Sequence, residues 1–485
     1  MYLSNEINIG SLPLGGNNPV RVQSMTNTDT LDTRSSVAQC IRIIEAGADM
    51  VRLATRGIKE AENLANIRKE LRKAGFDTPL IADVHFNPKV AEVAARLVEK
   101  VRINPGNYSD KRASFSKVDL TEKEYSAELE KIHERLLPLI RVAAENGTSI
   151  RIGVNHGSLS DRIMTRYGNT PKGMALSAME FIRIFDAENF GNLVLSMKSS
   201  NSLIMIGATR LLVDMMKQEG FSFPLHLGVT EAGEGEDGRI RSALGIGALL
   251  AGGIGDTIRV SLSEPPENEI PVAMSIVKHA LLYKGSPVDK RAMVHLKDGV
   301  SRLRLSYSED DPEQLAIRAS VDSSVVLTGG EAKDLIIEND GCISKEIVRS
   351  VTEGILQAAR IRISRNDYIS CPTCGRTDFD LLDAVARVKK ATSHLKGLKI
   401  AIMGCVVNGP GEMADADYGY VGAGKGLVHL YKGKEAVMKN LPEKEAVTKL
   451  LEIINKDLNV GAKDLNVGAK DLNVGAKDLN VGAGL

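Results

Sequence analysis

The run PLIADVHF (residues 79–86), the helix-favouring stretch PKVAEVAARLVE (88–99) and the run KVRINPGN (100–107) follow one another with only Asn87 between. A short apolar run, an amphipathic helix and a second apolar run form one strand–helix–strand unit of a parallel sheet. The same unit repeats outward in both directions. Upstream are VRVQSM (20–25) and MVRLAT (50–55); downstream are SIRIGVN (149–155), LVLSMK (193–198), PLHLGVTEAG (224–233) and DTIRVSLS (256–263). Helical patterns such as SSVAQCIRIIEAGA (35–48), EAENLANIRKELRKAG (60–75), EYSAELEKIHERLLPLIRVAAENG (124–147) and SALGIGALLAGGIG (242–255) lie between them. Several close on glycine, where a helix C-cap is expected. Eight such units in the first 263 residues predict an α/β fold built on a (β/α)8 TIM-type barrel. A doubly wound open sheet is the alternative; it usually has fewer strands and a Gly-rich first turn, which this chain lacks.

In a barrel of this kind the chemistry sits at the C-terminal ends of the strands. Those ends carry Arg52, Asp83 and His85, Arg102 and Asn104, Arg151 and Asn155, Lys198, Thr230 and Glu231, and Arg259 and Ser261. Five of the strands thus end on a cation set in apolar sequence. A buried cation is costly unless paired. Each could simply cap a neighbouring carboxylate, but Asp83 and Glu231 cannot serve all five. Cations converging on one mouth suit a polyanion, most simply a diphosphate. A carboxyl at Glu231 would stand among them, placed to give or take a proton.

A second pattern lies near the C-terminus. Cys371-Pro-Thr-Cys374 is followed thirty residues later by Gly404-Cys405-Val-Val-Asn408-Gly-Pro-Gly-Glu412. Two thiols two residues apart grip a metal centre from one turn, and a third on a distant Gly-rich loop closes the cage from another side. Glu412 is the nearest candidate for a fourth ligand. A [4Fe–4S] cluster with three thiolates and one weaker carboxylate would leave an iron that substrate can reach. Structural zinc stays open, although two Cys-x2-Cys knuckles or nearby histidines would be usual and His394 and His429 are off knuckle spacing. Redox thiols stay open too. Cys40, inside an apolar helical stretch, reads as a small core residue.

Composition bounds the rest. A chain of 485 residues needs two or three domains. Lys+Arg and Asp+Glu number 62 each, so a global electrostatic grip on nucleic acid or on a membrane surface is not expected. The N-terminus has no basic start followed by an apolar run, and no stretch reaches the roughly 18 apolar residues of a membrane span. Few cysteines, two of them in a Cys-x2-Cys pair, fit a reducing cytoplasm.

Taken in order, ADVHF, KVRINPGN, IRIGVNHGSL, LSMKSSN, LGVTEAG, DTIRVSLS, CPTCGR and MGCVVNGPGE resemble the 4-hydroxy-3-methylbut-2-enyl diphosphate synthases of isoprenoid biosynthesis. The resemblance covers most of residues 1–263 and about 365–440. It implies reductive opening of 2-C-methyl-D-erythritol 2,4-cyclodiphosphate with loss of a hydroxyl, electrons arriving singly from flavodoxin or ferredoxin through a [4Fe–4S] cluster. By position in the motifs, Cys371, Cys374, Cys405 and Glu412 would be the cluster ligands. Arg52, His85, Arg102, Arg151, Asn155, Lys198, Arg259 and Ser261 would hold the diphosphate. Glu231 would be the acid–base group, with Asn408 touching substrate near the cluster. The resemblance also implies a smaller C-terminal α/β iron–sulfur domain, placed at 365–455, and a homodimer. In two-domain members that domain caps the partner's barrel; in longer members the geometry differs.

Two regions depart from the family pattern. Residues 264–364 are too long for a linker and too short for the large domain inserted in longer members; they read as a partial domain or expanded linker that opens on Pro265-Pro266. From Lys456 the heptapeptide KDLNVGA recurs in four copies. Leu and Val two apart form no coiled-coil seam, and Gly and Asn weaken a helix, so 456–485 is expected to be disordered. A rival functional reading survives: a zinc-stapled barrel acting on, or sensing, a phosphorylated metabolite.

Overall fold

The structure is a computed structural model that describes residues 2–108, 117–283, 293–295, 300–372, 377, 379–405, 413, 416–424 and 426–464. It opens on an antiparallel hairpin, β1 (Ile7–Ile9) and β2 (Leu12–Leu14). The barrel strands are β3 (Arg21–Met25), β4 (Met50–Thr55), β5 (Leu80–Val84), β6 (Lys100–Ile103), β7 (Ser149–Asn155), β8 (Leu193–Lys198), β9 (His226–Leu227) and β10 (Thr257–Ile258). All neighbours are parallel, in the order β8-β7-β6-β5-β4-β3-β10-β9. A parallel bridge between Leu195 and Leu225 joins the two ends and closes the ring. The eight runs read from sequence are these eight strands.

The hairpin was not foreseen. Ile7, Ile9 and Leu14 pack against Met50, Ile81 and Val194, residues near the starts of their strands, and floor the barrel. Two three-residue strands are too short for an alternation signal. The floor closes the end opposite the catalytic one, so the strand C-termini form the open mouth.

Helix ends follow their local chemistry. Glu122–Asn146 starts on a capping box in which Thr121 and Glu124 satisfy each other's backbone N–H, and it ends at Gly147 with φ of 66°. The helix Glu269–Leu281 buries Ile270, Val272, Ala273, Ile276 and Ala280 in the barrel core. It is the eighth barrel helix, so the compact barrel unit continues past Ser263; Pro265-Pro266 lies in the loop that leads into it.

Beyond it, β11 (Met293–His295), β12 (Ser301–Tyr307) and β13 (Asp334–Asn339) make a three-stranded sheet. The helix Pro312–Thr328 is the crossover between the parallel pair β12 and β13, and the helix Lys345–Ala358 follows. This layer shares a core with Ile240 and Leu244 of the barrel helix Gly235–Ala251. Gly247 of that helix faces Val321 so closely that a Cβ there would sit 3.1 Å from it. The inserted segment is therefore mounted on the helix that follows the β9 loop.

The C-terminal sheet runs β14 (Asp367–Ser370), β15 (Lys399–Met403), β16 (Tyr418–Gly424), β17 (Leu427–Lys432) and β18 (Glu435–Pro442). The first three strands are parallel and the last three antiparallel. Its last helix runs Glu443–Asp464, so the first KDLNVGA copy is helical, against the expectation for that stretch. The physical reason is docking: Ala446, Leu450 and Ile454 enter the core, while Asp457 accepts from Tyr418 (2.9 Å) and pairs with Lys432 (2.8 Å). Once nucleated on the sheet, a helix propagates cheaply through poor formers. Residues 465–485 lie outside the described residues.

The C-terminal domain sits on the mouth of its own barrel. Arg241 Nη2 meets Asp367 Oδ1 at 2.5 Å, Arg241 Nη1 donates to the Tyr368 carbonyl at 2.6 Å, and Arg360 reaches Asp367 at 2.7 Å. Burial pushes the Asp367 carboxyl up, but Arg241 and Arg360 outweigh it and hold the group below the usual carboxylate range. Lys389 pairs with Glu234 at 2.9 Å, and a parallel backbone bridge joins Ala232 to Ser370. Among the described residues, no helix is long and apolar enough to cross a membrane.

Candidate active site

A cavity lies between the barrel mouth and the C-terminal sheet. Its barrel wall is Met25, Arg52, Asp83, His85, Arg102, Arg151, Asn155, Lys198, Thr230, Glu231, Arg259 and Ser261; its roof is Cys371, Pro372, Thr377, Met403 and Cys405. Every site residue picked from the sequence that is described in the structure lines it. Cys374, Asn408 and Glu412 lie outside the described residues. Asn104, also at a strand end, is absent from the lining; it donates to Ser158 Oγ (2.8 Å) and accepts from Gly106 N–H (3.2 Å), holding the loop after β6.

The five cations divide by partner. Arg102 is engaged through both terminal nitrogens: Nη1 lies 3.3 Å from Asp83 Oδ1 and 2.9 Å from His85 Nε2, and Nη2 donates to the Gly153 carbonyl (2.9 Å) and Asn155 Oδ1 (3.3 Å). Gly153 is required here, since a Cβ would lie 2.6 Å from Arg102 Nε. Arg259 makes a buried two-point pair with Glu269, Nε to Oε2 at 3.0 Å and Nη2 to Oε1 at 2.9 Å. Glu269 also accepts from Ser24 Oγ at 2.6 Å. The sequence reading missed Glu269; the one signal was an acidic residue in the first turn of the helix after the Pro-Pro loop. Met25 was missed as well, its sulfur accepting from Arg52 Nε at 3.2 Å.

Arg151 differs. It is 1% exposed, and none of its three guanidinium nitrogens has a hydrogen-bond partner among the described residues. Lys198 is 5% exposed. Burial first, then the fields of Arg151, Arg52, Arg259 and Arg102, hold its ammonium well below the ordinary lysine range. Asp83 goes the other way: burial pushes its carboxyl up, but Arg52, Arg102 and His85 prevail and keep it ionised. Three carboxylates, Asp83, Glu231 and Glu269, against five cations leave the mouth positive.

Below the mouth the barrel interior stays polar. Lys100 is fully buried with Met50 Sδ at 3.3 Å, and His226 is fully buried with neither ring nitrogen hydrogen-bonded among the described residues. Burial and the cations above hold both well below their ordinary pKa values. Nothing in the sequence separated these two from ordinary strand residues.

This arrangement has a consequence for binding. Burial and the neighbouring guanidinium groups disfavour the Lys198 ammonium while the mouth is empty, and a bound polyanion raises its pKa. Protons are therefore taken up on binding wherever the pH lies between the free and bound values, and affinity weakens as pH rises through the bound value. Calorimetric titration with a diphosphate ligand in buffers of unlike ionisation enthalpy should report net proton uptake, diminished in Lys198→Met.

Cys371 follows β14 and Cys405 follows β15, two adjacent parallel strands whose C-terminal ends face the barrel mouth. The Gly404 N–H donates to Cys371 Sγ at 3.2 Å, a bond that favours thiolate and tunes a sulfur bound to iron. The two described thiols thus suit an iron–sulfur centre. Among the described residues no trio of His, Cys, Asp or Glu is grouped to hold a metal ion. Cys40 is a core residue whose thiol burial pushes up to about 12. Glu231 ends the β9 run with φ of 50°, a left-handed conformation uncommon for glutamate and typical of strained functional positions.

Comparison with known proteins agrees with this geometry. The sequence model of the GcpE TIM-barrel domain matches residues 4–274, and that of the GcpE protein C-terminal domain matches residues 367–456. A Bacteroides thetaiotaomicron protein named 4-hydroxy-3-methylbut-2-en-1-yl diphosphate synthase (flavodoxin) is 45% identical, the alignment covering 94% of this chain and 97% of the relative. A Porphyromonas gingivalis protein of the same name is 41% identical over 93% of this chain and 96% of its own length. A Synechococcus protein named as the ferredoxin form is 43% identical over 93% of this chain and 92% of its own. The Bacteroides alignment spans 597 positions, more than the 485 residues here, so that relative carries residues with no counterpart in this chain; the Synechococcus alignment spans 450. From its barrel to its C-terminal sheet, the chain belongs to the GcpE family.

Proposed function

We propose that this chain reductively opens 2-C-methyl-D-erythritol 2,4-cyclodiphosphate to 4-hydroxy-3-methylbut-2-enyl diphosphate, as its relatives' names indicate for them. The observation that carries the reading is the single cavity in which a cationic barrel mouth meets Cys371 and Cys405. The diphosphate is held by Arg52, Arg102, Arg151, Lys198 and Arg259, with His85, Asn155 and Ser261 as further donors. Arg151 contributes most, because its donors have no protein acceptor to give up. The cations stabilise charge as the ring C–O bond breaks and the phosphate oxygen leaves. Glu231 delivers the proton with which the lost hydroxyl departs as water. The reaction takes up two electrons and one proton and releases one water. A [4Fe–4S] cluster held by Cys371, Cys374, Cys405 and Glu412 would supply the electrons one at a time, drawn from flavodoxin or ferredoxin, with Asn408 beside the substrate.

The test is oxygen-free incubation with the cyclic diphosphate and reduced flavodoxin or ferredoxin, with products followed by phosphorus and carbon NMR. Appearance of the linear allylic diphosphate supports the reading. Recovery of intact substrate with a zinc-loaded protein favours the rival, a zinc-stapled phosphate-binding barrel.

The family resemblance also suggests a homodimer, but barrel and roof of this cavity come from one chain, so a partner is not needed to complete it. Mixing Glu231→Gln chains with Cys405→Ser chains should therefore restore no activity. Restoration would mean that the roof domain reaches the partner's barrel instead.

A further inference from the structure

Ser263 lies outside the cavity lining, yet it touches both halves of the site. It ends the β10 run that carries Arg259 and Ser261, and it is 1% exposed. Its backbone N–H donates to the Gly233 carbonyl at 2.9 Å, two residues after Glu231. Its hydroxyl lies 2.9 Å from Ser370 Oγ, 3.1 Å from the Cys371 carbonyl and 3.4 Å from the Ser370 carbonyl. Ser370 is itself bridged through its backbone to Ala232.

A hydroxyl has one proton to give. The arrangement that satisfies every group has Ser370 Oγ–H donating to Ser263 Oγ and Ser263 Oγ–H donating to the Cys371 carbonyl. That carbonyl belongs to the Cys371–Pro372 peptide, which has no N–H to donate. Cys371 is then held from two sides: by Ser263 of the barrel at its carbonyl and by Gly404 of its own domain at its sulfur. The short loop through Glu231, Ala232 and Gly233 is held by the backbone of the same two serines, which their hydroxyls tie to each other and to Cys371. Glu231, in a left-handed conformation that surroundings must enforce, has its frame here.

We propose that Ser263, acting with Ser370, is a positioning residue that locks the acid–base carboxyl of Glu231 and the Cys371 thiolate into one frame across the domain junction. The proposal rests on the function proposed above and goes beyond it, since neither serine touches substrate. Effects of this kind appear in kcat rather than in substrate affinity, because the phosphate-binding cations are untouched and only the alignment of reacting groups changes.

The experiment uses the full chain, purified without oxygen, as wild type, Ser263→Ala, Ser263→Thr, Ser370→Ala and the double alanine variant. For Ser263→Ala the expected result is kcat lower by about tenfold, a misalignment effect, with KM changed by less than about twofold and thermal midpoint close to wild type. Iron and sulfide per chain should be unchanged, while the EPR signal of the reduced protein shifts, because the backbone that carries the Cys371 sulfur loses its hold on the barrel. Ser263→Thr, which keeps the hydroxyl, should restore both kcat and the signal. The double variant should be no worse than either single one, as for two members of one chain of hydrogen bonds. Wild-type kcat and an unmoved signal in Ser263→Ala would overturn the proposal. So would a loss that follows iron content or the thermal midpoint alone and is not rescued by threonine. A wild-type protein without iron, sulfide or turnover would instead overturn the proposed function, so the two failures are distinguishable.

Discussion

Glu231→Gln should lower kcat by about 10²–10⁴-fold, the range for removal of a general acid–base group, while leaving iron content and substrate binding close to wild type. Glutamine matches glutamate in size and can still accept a hydrogen bond, but it carries no proton that it can transfer near neutral pH. Glu231 is 3% exposed at the cavity wall, and its neighbour Ala232 is bridged to the strand leading into Cys371. The bridge holds the backbone beside it without using the side chain, so the exchange should leave the loop in place. Steady-state turnover beside iron analysis and a binding titration checks this. Undiminished turnover would remove Glu231 from the chemistry, whereas parallel loss of iron would make its role structural.

Arg151→Met should have two effects of opposite sign. Its guanidinium is buried without a hydrogen-bond partner among the described residues, and burial with the fields of Arg52, Arg102 and Arg259 outweighs that of Asp83 and disfavours its charge. Replacing a buried cation that no hydrogen bond supports by an apolar side chain of similar length should stabilise the fold by about 1–3 kcal/mol, the scale seen when buried charges give way to hydrophobic residues. The same change removes the donors best placed for the diphosphate. Two charge-assisted hydrogen bonds at about 1.5–3 kcal/mol each correspond to a loss in kcat/KM of roughly 10²–10⁴-fold. Thermal unfolding without ligand, set beside kinetics, gives both signs at once. A fall in stability with intact kinetics would mean that Arg151 is a structural cation. Arg259→Met makes the contrast, because it strands Glu269 as a buried unpaired carboxylate and should destabilise by about 3–5 kcal/mol.

What could be read from the sequence divides along physical lines. The barrel was legible because each of its eight strands is buried on both faces and stands out as an apolar run. The cations were legible because each interrupts such a run at the end where a barrel gathers its side chains. Cys371 and Cys405 were legible by spacing, and the cavity brings them to the same mouth. The floor hairpin was not, since three-residue strands carry no period. Glu269 was not, because an acidic residue in the first turn of a helix is ordinary, and only the fold turns it toward Arg259. The helical start of the repeat was missed because propensity was weighed without the sheet on which Asp457 docks. That the roof belongs to the same chain as the barrel depends on Asp367 meeting Arg241 across 126 residues, and no local pattern encodes such a contact.

The most direct measurement is iron, acid-labile sulfide and zinc per chain, with an optical spectrum, on protein purified without oxygen. A [4Fe–4S] site predicts about four irons and four sulfides, with a brown absorption that bleaches on dithionite. Stoichiometric zinc without sulfide, in a colourless protein, would contradict a reductive site and reduce Cys371 and Cys405 to a structural staple over a phosphate-binding barrel.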